Sequence, residues 1–277
     1  MTSVEPALSL RNPNVQHLRR LIGRRRSRTE AGQFVFEGPT LVEEALRTEF
    51  PIDAVFVDAI AAERLAPLLD RLADATAVHL LADGVLAKVS DTNSPQAIVA
   101  VAPRPKATLE SFLATGARGL VILLDAVSDP GNAGTVVRTA EAVGAAGVVF
   151  ASDSTDPYGP KTVRAAAGSA FRVPLAGAGA TPDAMATLRS AGFSCVGAVA
   201  TDGDDHRVAD LTGDVGLVLG SEAHGLAPDV VAVLDRRVTI PMRGAVESLN
   251  VAAAAAVLGY ERIRQSDAPI DVTGSEG

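Results

Sequence analysis

Val238-Thr239-Ile240-Pro241-Met242, a short loop, and then Glu247-Ser248-Leu249-Asn250-Val251 running into an alanine-rich segment to Tyr260 and Arg264 form the stretch around which this chain is organised. Val238 and Ile240 are strand formers. Pro241 carries no backbone N–H and ends the ladder. Ser248 has the side chain of an N-cap, so a helix is expected from about that residue. Ala252 to Ala256 follow as an unbroken row of small helix formers, which lets a neighbour pack close. A strand whose carboxyl end stops just before a helix N-terminus is the usual ligand position of an open α/β sheet. The same pattern also describes a packed strand and a core helix, so by itself it names no site.

Two earlier stretches repeat the theme. Gly119 to Asp125 reads as an apolar strand, followed by Asp129-Pro130-Gly131-Asn132-Ala133-Gly134-Thr135-Val136-Val137-Arg138. Val215 to Leu219 reads as another, followed by Gly220-Ser221-Glu222-Ala223-His224-Gly225-Leu226. Three apolar strands, each ending in a glycine- or proline-containing polar turn, predict one ligand crevice assembled from several strand tips. Asn132 is expected at the start of a helix, with Arg138 about a turn and a half inside it.

The ordered set Asn132…Arg138, Gly220-Ser221-Glu222…Gly225 and Ile240-Pro241-Met242…Ser248-Leu249-Asn250 resembles the three signature motifs of the SpoU (TrmH-type) RNA ribose 2′-O-methyltransferases, members of the SPOUT class. The resemblance covers about Leu120 to Arg264 and is weaker in the N-terminal third. Ala223 departs from it, since the family often has glycine there. The resemblance implies an α/β protein: a C-terminal SPOUT domain with a parallel sheet, helices on both faces and a C-terminal trefoil knot, plus a small N-terminal α/β RNA-binding domain.

It also implies roles. S-adenosylmethionine is the expected cofactor, with Leu219, Gly220, Ile240, Met242, Ser248 and Leu249 as its contacts. Arg138, Asn132, Glu222, Ser248 and Asn250 are the expected catalytic set. Arg138 matches the arginine often assigned as the base. A guanidinium with a pKa above ~12 is a poor proton acceptor, so binding the target phosphate is the better role. Asn132 would orient Arg138, Glu222 would fix loop geometry, and Ser248 and Asn250 would position the ribose or cap the helix. Capping alone remains the competing account of Asn132 and Ser248. His224 occupies a variable position and reads as a loop residue. A homodimer is implied, with Arg138 acting in its own subunit or across the dimer.

The bulk composition is compatible. A chain of 277 residues, 47% hydrophobic and 21% charged, has the length and composition of one large or two ordinary globular domains. One cysteine, Cys195, excludes an internal disulfide and a multi-cysteine zinc site, and its apolar surroundings predict a buried thiol. No metal site is expected; Asp202-Gly203-Asp204-Asp205-His206 reads as a solvated turn. With no apolar signal core and no membrane-length run, a cytoplasmic protein is expected. The net charge of −8 disfavours nucleic acid, but residues 1–30 hold seven arginines against two glutamates. Arg19, Arg20, Arg24, Arg25, Arg26 and Arg28 therefore read as a phosphate-seeking patch, the arginine run forming a loop. Lys161, Arg164 and Arg172 are further candidate phosphate contacts, with helix-surface charge as the competing account.

Along the chain, a helix over Asn12 to Ile22, strands at 34–36, 55–57, 78–80 and 97–101, and helices at 41–47, 62–72 and 82–89 predict a small α/β domain. This part resembles the family's substrate-binding domain, which is similar to a ribosomal protein that grips kinked RNA. Glu37 reads as a structural cap rather than an RNA contact. The expected division is 1–103 for this domain, 104–116 for a linker, 117–265 for the methyltransferase domain and 266–277 for a disordered tail. Ribosomal RNA is the favoured substrate by analogy. A transfer-RNA 2′-O-methyltransferase and a non-catalytic RNA-binding protein that keeps the fold are the alternatives. A Rossmann oxidoreductase is excluded because Asp129-Pro130-Gly131-Asn132-Ala133-Gly134 lacks Gly-x-Gly-x-x-Gly, and a P-loop is excluded because Gly220…Gly225 lacks its lysine.

Overall fold

The computed structural model describes residues 7–92 and 94–266. They form two compact units: one from residues up to Lys106 together with Thr155–Arg172, the other from Ala107–Ser154 and from Val173 onward. The elements begin with α1 (Pro13–Gly23), α2 (Arg25–Ala31), β1 (Gln33–Glu37), α3 (Pro39–Arg47), β2 (Ala54–Asp58), α4 (Ala62–Leu69), β3 (Ala77–Leu81), α5 (Val85–Val89) and β4 (Ile98–Pro103). They continue with α6 (Leu109–Leu113), β5 (Leu120–Leu124), α7 (Pro130–Ala142), β6 (Gly147–Phe150), α8 (Pro160–Ala166), β7 (Leu175–Gly177), α9 (Thr181–Ser190), β8 (Ser194–Ala198) and β9 (Asp204–Asp205). Last come β10 (Val215–Leu219), α10 (Pro228–Ala232), β11 (Arg236–Thr239) and α11 (Val251–Ser266). The expected tail beyond Ser266 lies outside the described residues. Among the described residues no helix is long and apolar enough to cross a membrane.

The first unit is a four-stranded sheet in the order β1-β4-β2-β3, antiparallel except for β2 with β3. Strand residues alternate between faces. Val35, Val99 and Val101 share one core cluster with Val15, Leu18, Leu21 and Ile22 of α1. Phe34 and Phe36 point the other way, against Tyr158 and Phe171 at ring-centroid distances of 5.0 and 4.9 Å. Those partners lie in Thr155–Arg172, a segment that the motif order had placed in the second domain.

An ion pair fastens the segment. Asp156 and Arg28 are both almost fully buried, 2.8 Å apart. Arg28 also donates to the carbonyls of Leu21 and Ile22 at 2.6 and 3.1 Å, closing the end of α1. The Tyr158 N–H donates to Asp156 at 3.1 Å, and Arg104 stacks over the Tyr158 ring.

This corrects the expected basic patch. The arginine run is not a loop but α2, because arginine and glutamate are good helix formers. Arg28 is inside the unit and faces no solvent. Arg26 is paired with Glu30 at 2.7 Å, Arg172 with Glu44 at 2.7 Å, and Arg164 with Asp91 at 3.0 Å. Arg19, Arg20, Arg24 and Lys161 are exposed. Glu37 accepts from the Gln96 N–H at 2.6 Å and the Ser90 hydroxyl at 2.8 Å, so it organises a loop from within.

The second unit is a seven-stranded, all-parallel sheet in the order β7-β6-β5-β10-β8-β11-β9. Every residue of β5 and β10 is buried, as expected of strands covered on both faces. Leu109 and Phe112 of α6 join the core on one face with Met185 and Leu188 of α9. Thr108 opens α6 with a capping box, so residues from 107 onward, in the stretch expected as a linker, are part of this unit. Cys195 is buried on β8, and burial pushes its thiol up to about 11. Asp204–Asp205, expected as a turn, adds a short edge strand beside β11.

Arg28→Ala should destabilise the protein by roughly 3–5 kcal/mol, because Asp156 keeps its burial and loses its main partner. A urea titration followed by circular dichroism measures it. A loss under about 1 kcal/mol, the level of an exposed pair, would show that the segment is held by its aromatic rings alone.

Candidate active site

The chain leaves β5 in one direction through β6 and β7, and fills the other side with β8, β10 and β11. Strand tips flanking such a reversal form a crevice. Here they surround a cavity of about 520 Å³. Its wall holds Leu219 and Gly220 from the end of β10, Ile240 and Met242 past the end of β11, and Ser248 and Leu249 before α11. All six expected cofactor contacts therefore surround one space. Glu222 and His224 line it from the Gly220–Leu226 loop, and Val251 and Ala254 from α11.

The loop after β10 closes on itself. Ser221 and Gly225 exchange backbone hydrogen bonds at 3.1 and 2.9 Å. A Cβ at Gly220 would overlap the backbone of Gly225 and Leu226. The close approach that Gly220 permits is thus first of all that of its own chain. Gly225 has φ +67°, a left-handed conformation suited to glycine, whereas Ala223 is not among the residues with positive φ. Alanine therefore fits at position 223 without strain, and the departure from the family pattern leaves the loop intact.

Three distant segments meet through one side-chain amide. Asn132 donates to Glu222 at 2.5 Å and accepts from the Asn250 amide at 2.8 Å. Its own N–H donates to Asp129, the N-cap of α7, at 2.7 Å. Asn250 in turn accepts from the Ala252 N–H at 2.9 Å. Asn250, and not Ser248, is thus the cap of α11, and the helix starts at Val251, later than expected. Ser248 stays exposed in the loop, facing the cavity.

Arg138 stands apart from this cluster. It is exposed on α7, six residues beyond Asn132, and does not line the cavity of its own chain. Among the described residues no side-chain bond links it to Asn132, so the expected orientation of Arg138 by Asn132 is not what Asn132 does within a single chain. The sequence also missed part of the wall: Ala198 to Asp202, at the end of β8, line the cavity. The available signal was the apolar run Phe193 to Ala200 ending at Thr201-Asp202-Gly203, the same strand-then-polar-turn pattern as at the other tips.

A parallel sheet with a preformed, partly apolar crevice at its carboxyl tips defines an α/β nucleotide- or cofactor-binding protein. Comparison with known proteins narrows the class. Residues 119–260 match the SpoU rRNA Methylase family, and residues 12–100 match the MRM3-like substrate binding domain. The 23S rRNA (guanosine(2553)-2′-O)-methyltransferase RlmP of Bacillus subtilis is 32% identical over 252 residues, covering 91% of this chain and 96% of that one. A 23S rRNA (uridine(2479)-2′-O)-methyltransferase of Streptomyces viridochromogenes is 32% identical over 265 residues, covering 93% and 92%. The crystal structure of the SpoU methyltransferase AviRb from Streptomyces viridochromogenes, in complex with the cofactor AdoMet, superposes with a TM-score of 0.83 at 31% identity, covering 92% of this chain and 98% of that one. This chain belongs to the SpoU rRNA methylase family.

Gly220→Ala should cost about 1–3 kcal/mol through overpacking against backbone that cannot move aside, and should abolish ligand binding in the cavity. Thermal unfolding and calorimetry check it. An unchanged melting temperature would mean that the loop has another closed form.

Proposed function

We propose that this protein transfers a methyl group from S-adenosylmethionine to a ribose 2′-hydroxyl in structured RNA, with ribosomal RNA as the substrate class. The observation that carries this reading is the single cavity at the tips of β8, β10 and β11, lined by residues of two of the three signature motifs and tied to the first through Asn132. Its volume suits a nucleoside-sized ligand. Leu219, Ile240, Leu249 and Val251 offer apolar surface for an adenine, and the Ile240–Met242 backbone and Ser248 offer polar groups. These residues would hold the donor, whose sulfonium supplies an activated methyl group.

What remains for the chain is mostly positioning, because the acceptor oxygen must lie in line with the transferred group. Ser248 and the Asn132–Glu222–Asn250 tie set the wall against which the ribose would rest. Arg138 contributes positive charge. It binds the phosphate next to the target nucleotide and stabilises the developing alkoxide, while the proton leaves to phosphate or solvent. Because Arg138 lies outside the cavity of its own chain, we place it at the cavity of a second copy, in a homodimer. Exposed Tyr260 on α11, the helix packed beside α7, supports a covered face there. Arg19, Arg20 and Arg24 on the first unit engage RNA phosphates, and the reaction takes place in the cytoplasm.

Purified protein incubated with methyl-labelled S-adenosylmethionine and ribosomal or transfer RNA should place label on a ribose of ribosomal RNA. Label on a base, or on transfer RNA alone, would refute the assignment. Arg138→Ala should lower kcat by about 10²–10³-fold with S-adenosylmethionine affinity unchanged. Its pH–rate profile should differ from that of the wild type only in height. An ionisation limb that vanishes with Arg138 would make Arg138 the base.

A further inference from the structure

Three charged residues that the signature motifs do not explain line the cavity: Glu247, in the loop before α11, and the pair Arg237 and Asp202 on the β8–β11 side. Arg237 lies on β11 opposite Gly197 of the adjacent β8. Asp202 lies in the segment after β8, and that segment crosses the end of β11, where the Gly203 N–H donates to the Thr239 hydroxyl at 3.1 Å. Both residues line the cavity, and both are exposed.

Their neighbours make them unusual. Arg189 is paired with Asp235 at 2.8 Å, Arg236 with Asp210 at 2.8 Å, and Arg207 with Asp205. Of the four arginines between positions 189 and 237, only Arg237 has no ion pair among the described residues. Among the described residues the Asp202 carboxylate has no ion pair and accepts only a long hydrogen bond from the Thr201 hydroxyl, at 3.5 Å. A cation and an anion in one cavity, unspent and not neutralising each other, match a ligand end that carries both charges. Of the other acids on the wall, Glu222 is engaged by Asn132, and Glu247 lies in the loop before α11, away from the β8–β11 side that carries Arg237.

We propose that Arg237 and Asp202 hold the amino-acid end of the methyl donor, the guanidinium taking its α-carboxylate and the Asp202 carboxylate its α-ammonium. The inference rests on the cavity being the donor site. A guanidinium presents parallel N–H groups that fit a carboxylate, and each contact is charge-assisted. The pair would act as a length gauge, selecting a donor that carries the whole amino-acid end over one cut back to the thioether.

Calorimetry on the full chain tests this with two probes, S-adenosylmethionine and 5′-methylthioadenosine, which shares the adenosine and lacks the amino-acid end. Arg237→Ala and Asp202→Asn should each weaken S-adenosylmethionine by about tenfold and leave methylthioadenosine affinity unchanged, which also shows the variants folded. Arg237→Lys should recover part of the loss. Equal weakening of both probes, or no weakening of S-adenosylmethionine, overturns the clamp. Wild-type protein that binds both probes equally overturns the clamp and keeps the donor site. Wild-type protein that binds neither overturns both.

Discussion

The carboxamide of Asn132 is the one group that the site's three motifs share. It gives a hydrogen bond to Glu222 and receives one from Asn250. A carboxylate can only accept, so Glu222 fixes which end of the amide faces it. The oxygen is then left for Asn250, whose own oxygen is taken by the first turn of α11. Aspartate at 132 would set two negative charges together, and an apolar residue would leave both partners unmade. These bonds are exposed, and each contributes on the order of 1 kcal/mol to stability. Their consequence is geometric. They hold the start of α7, the loop after β10 and the start of α11 in one arrangement, and the last two line the cavity.

A comparable constraint acts in the first unit, with stability as its product. β1 places Phe34 and Phe36 on the face opposite α1, where, among the described residues up to Lys106, their rings meet each other and Phe50. Tyr158 and Phe171 meet them too, brought by a segment that leaves the second unit's sheet after β6 and returns before β7. The buried Arg28–Asp156 pair is acceptable there because Arg28 also satisfies two helix-end carbonyls and Asp156 a backbone N–H. The first unit is therefore completed by residues that lie within the stretch matching the SpoU rRNA Methylase family.

This shows where sequence reading succeeded and where it stopped. β5 and β10 were legible because each is an apolar run cut off by a polar turn, and β11 because Val238 leads into Ile240-Pro241-Met242; the residues after all three carry recognisable motifs. The helical state of Arg25–Ala31 was hidden by its charge, which reads as a solvated loop although its residues favour helix. The partnership of Phe34 with Tyr158 spans more than a hundred residues and leaves no local trace. Ser248 and Asn250 are both competent caps, and propensity cannot choose between them. The choice falls to Asn250 because a tertiary bond to Asn132 fixes its side chain. The end of β8 lines the cavity without a motif, so topology alone reveals it.

The same distinction between composition and arrangement governs the electrostatics. A net charge of −8 says little about a surface on which interactions fade within about 8–10 Å at ordinary ionic strength. What matters is which cations are already spent. Arg26, Arg28, Arg164 and Arg172 each face a carboxylate of their own unit. A phosphate approaching any of them must compete with that carboxylate. Arg19, Arg20 and Arg24 cluster at and just after the end of α1, exposed. Arg28 does not join them, because it is the residue that holds that helix end together. One arginine is consumed in building the platform from which the others reach solvent. The basic stretch is therefore both structural and solvent-facing, divided residue by residue according to which side chains find an acid within the fold.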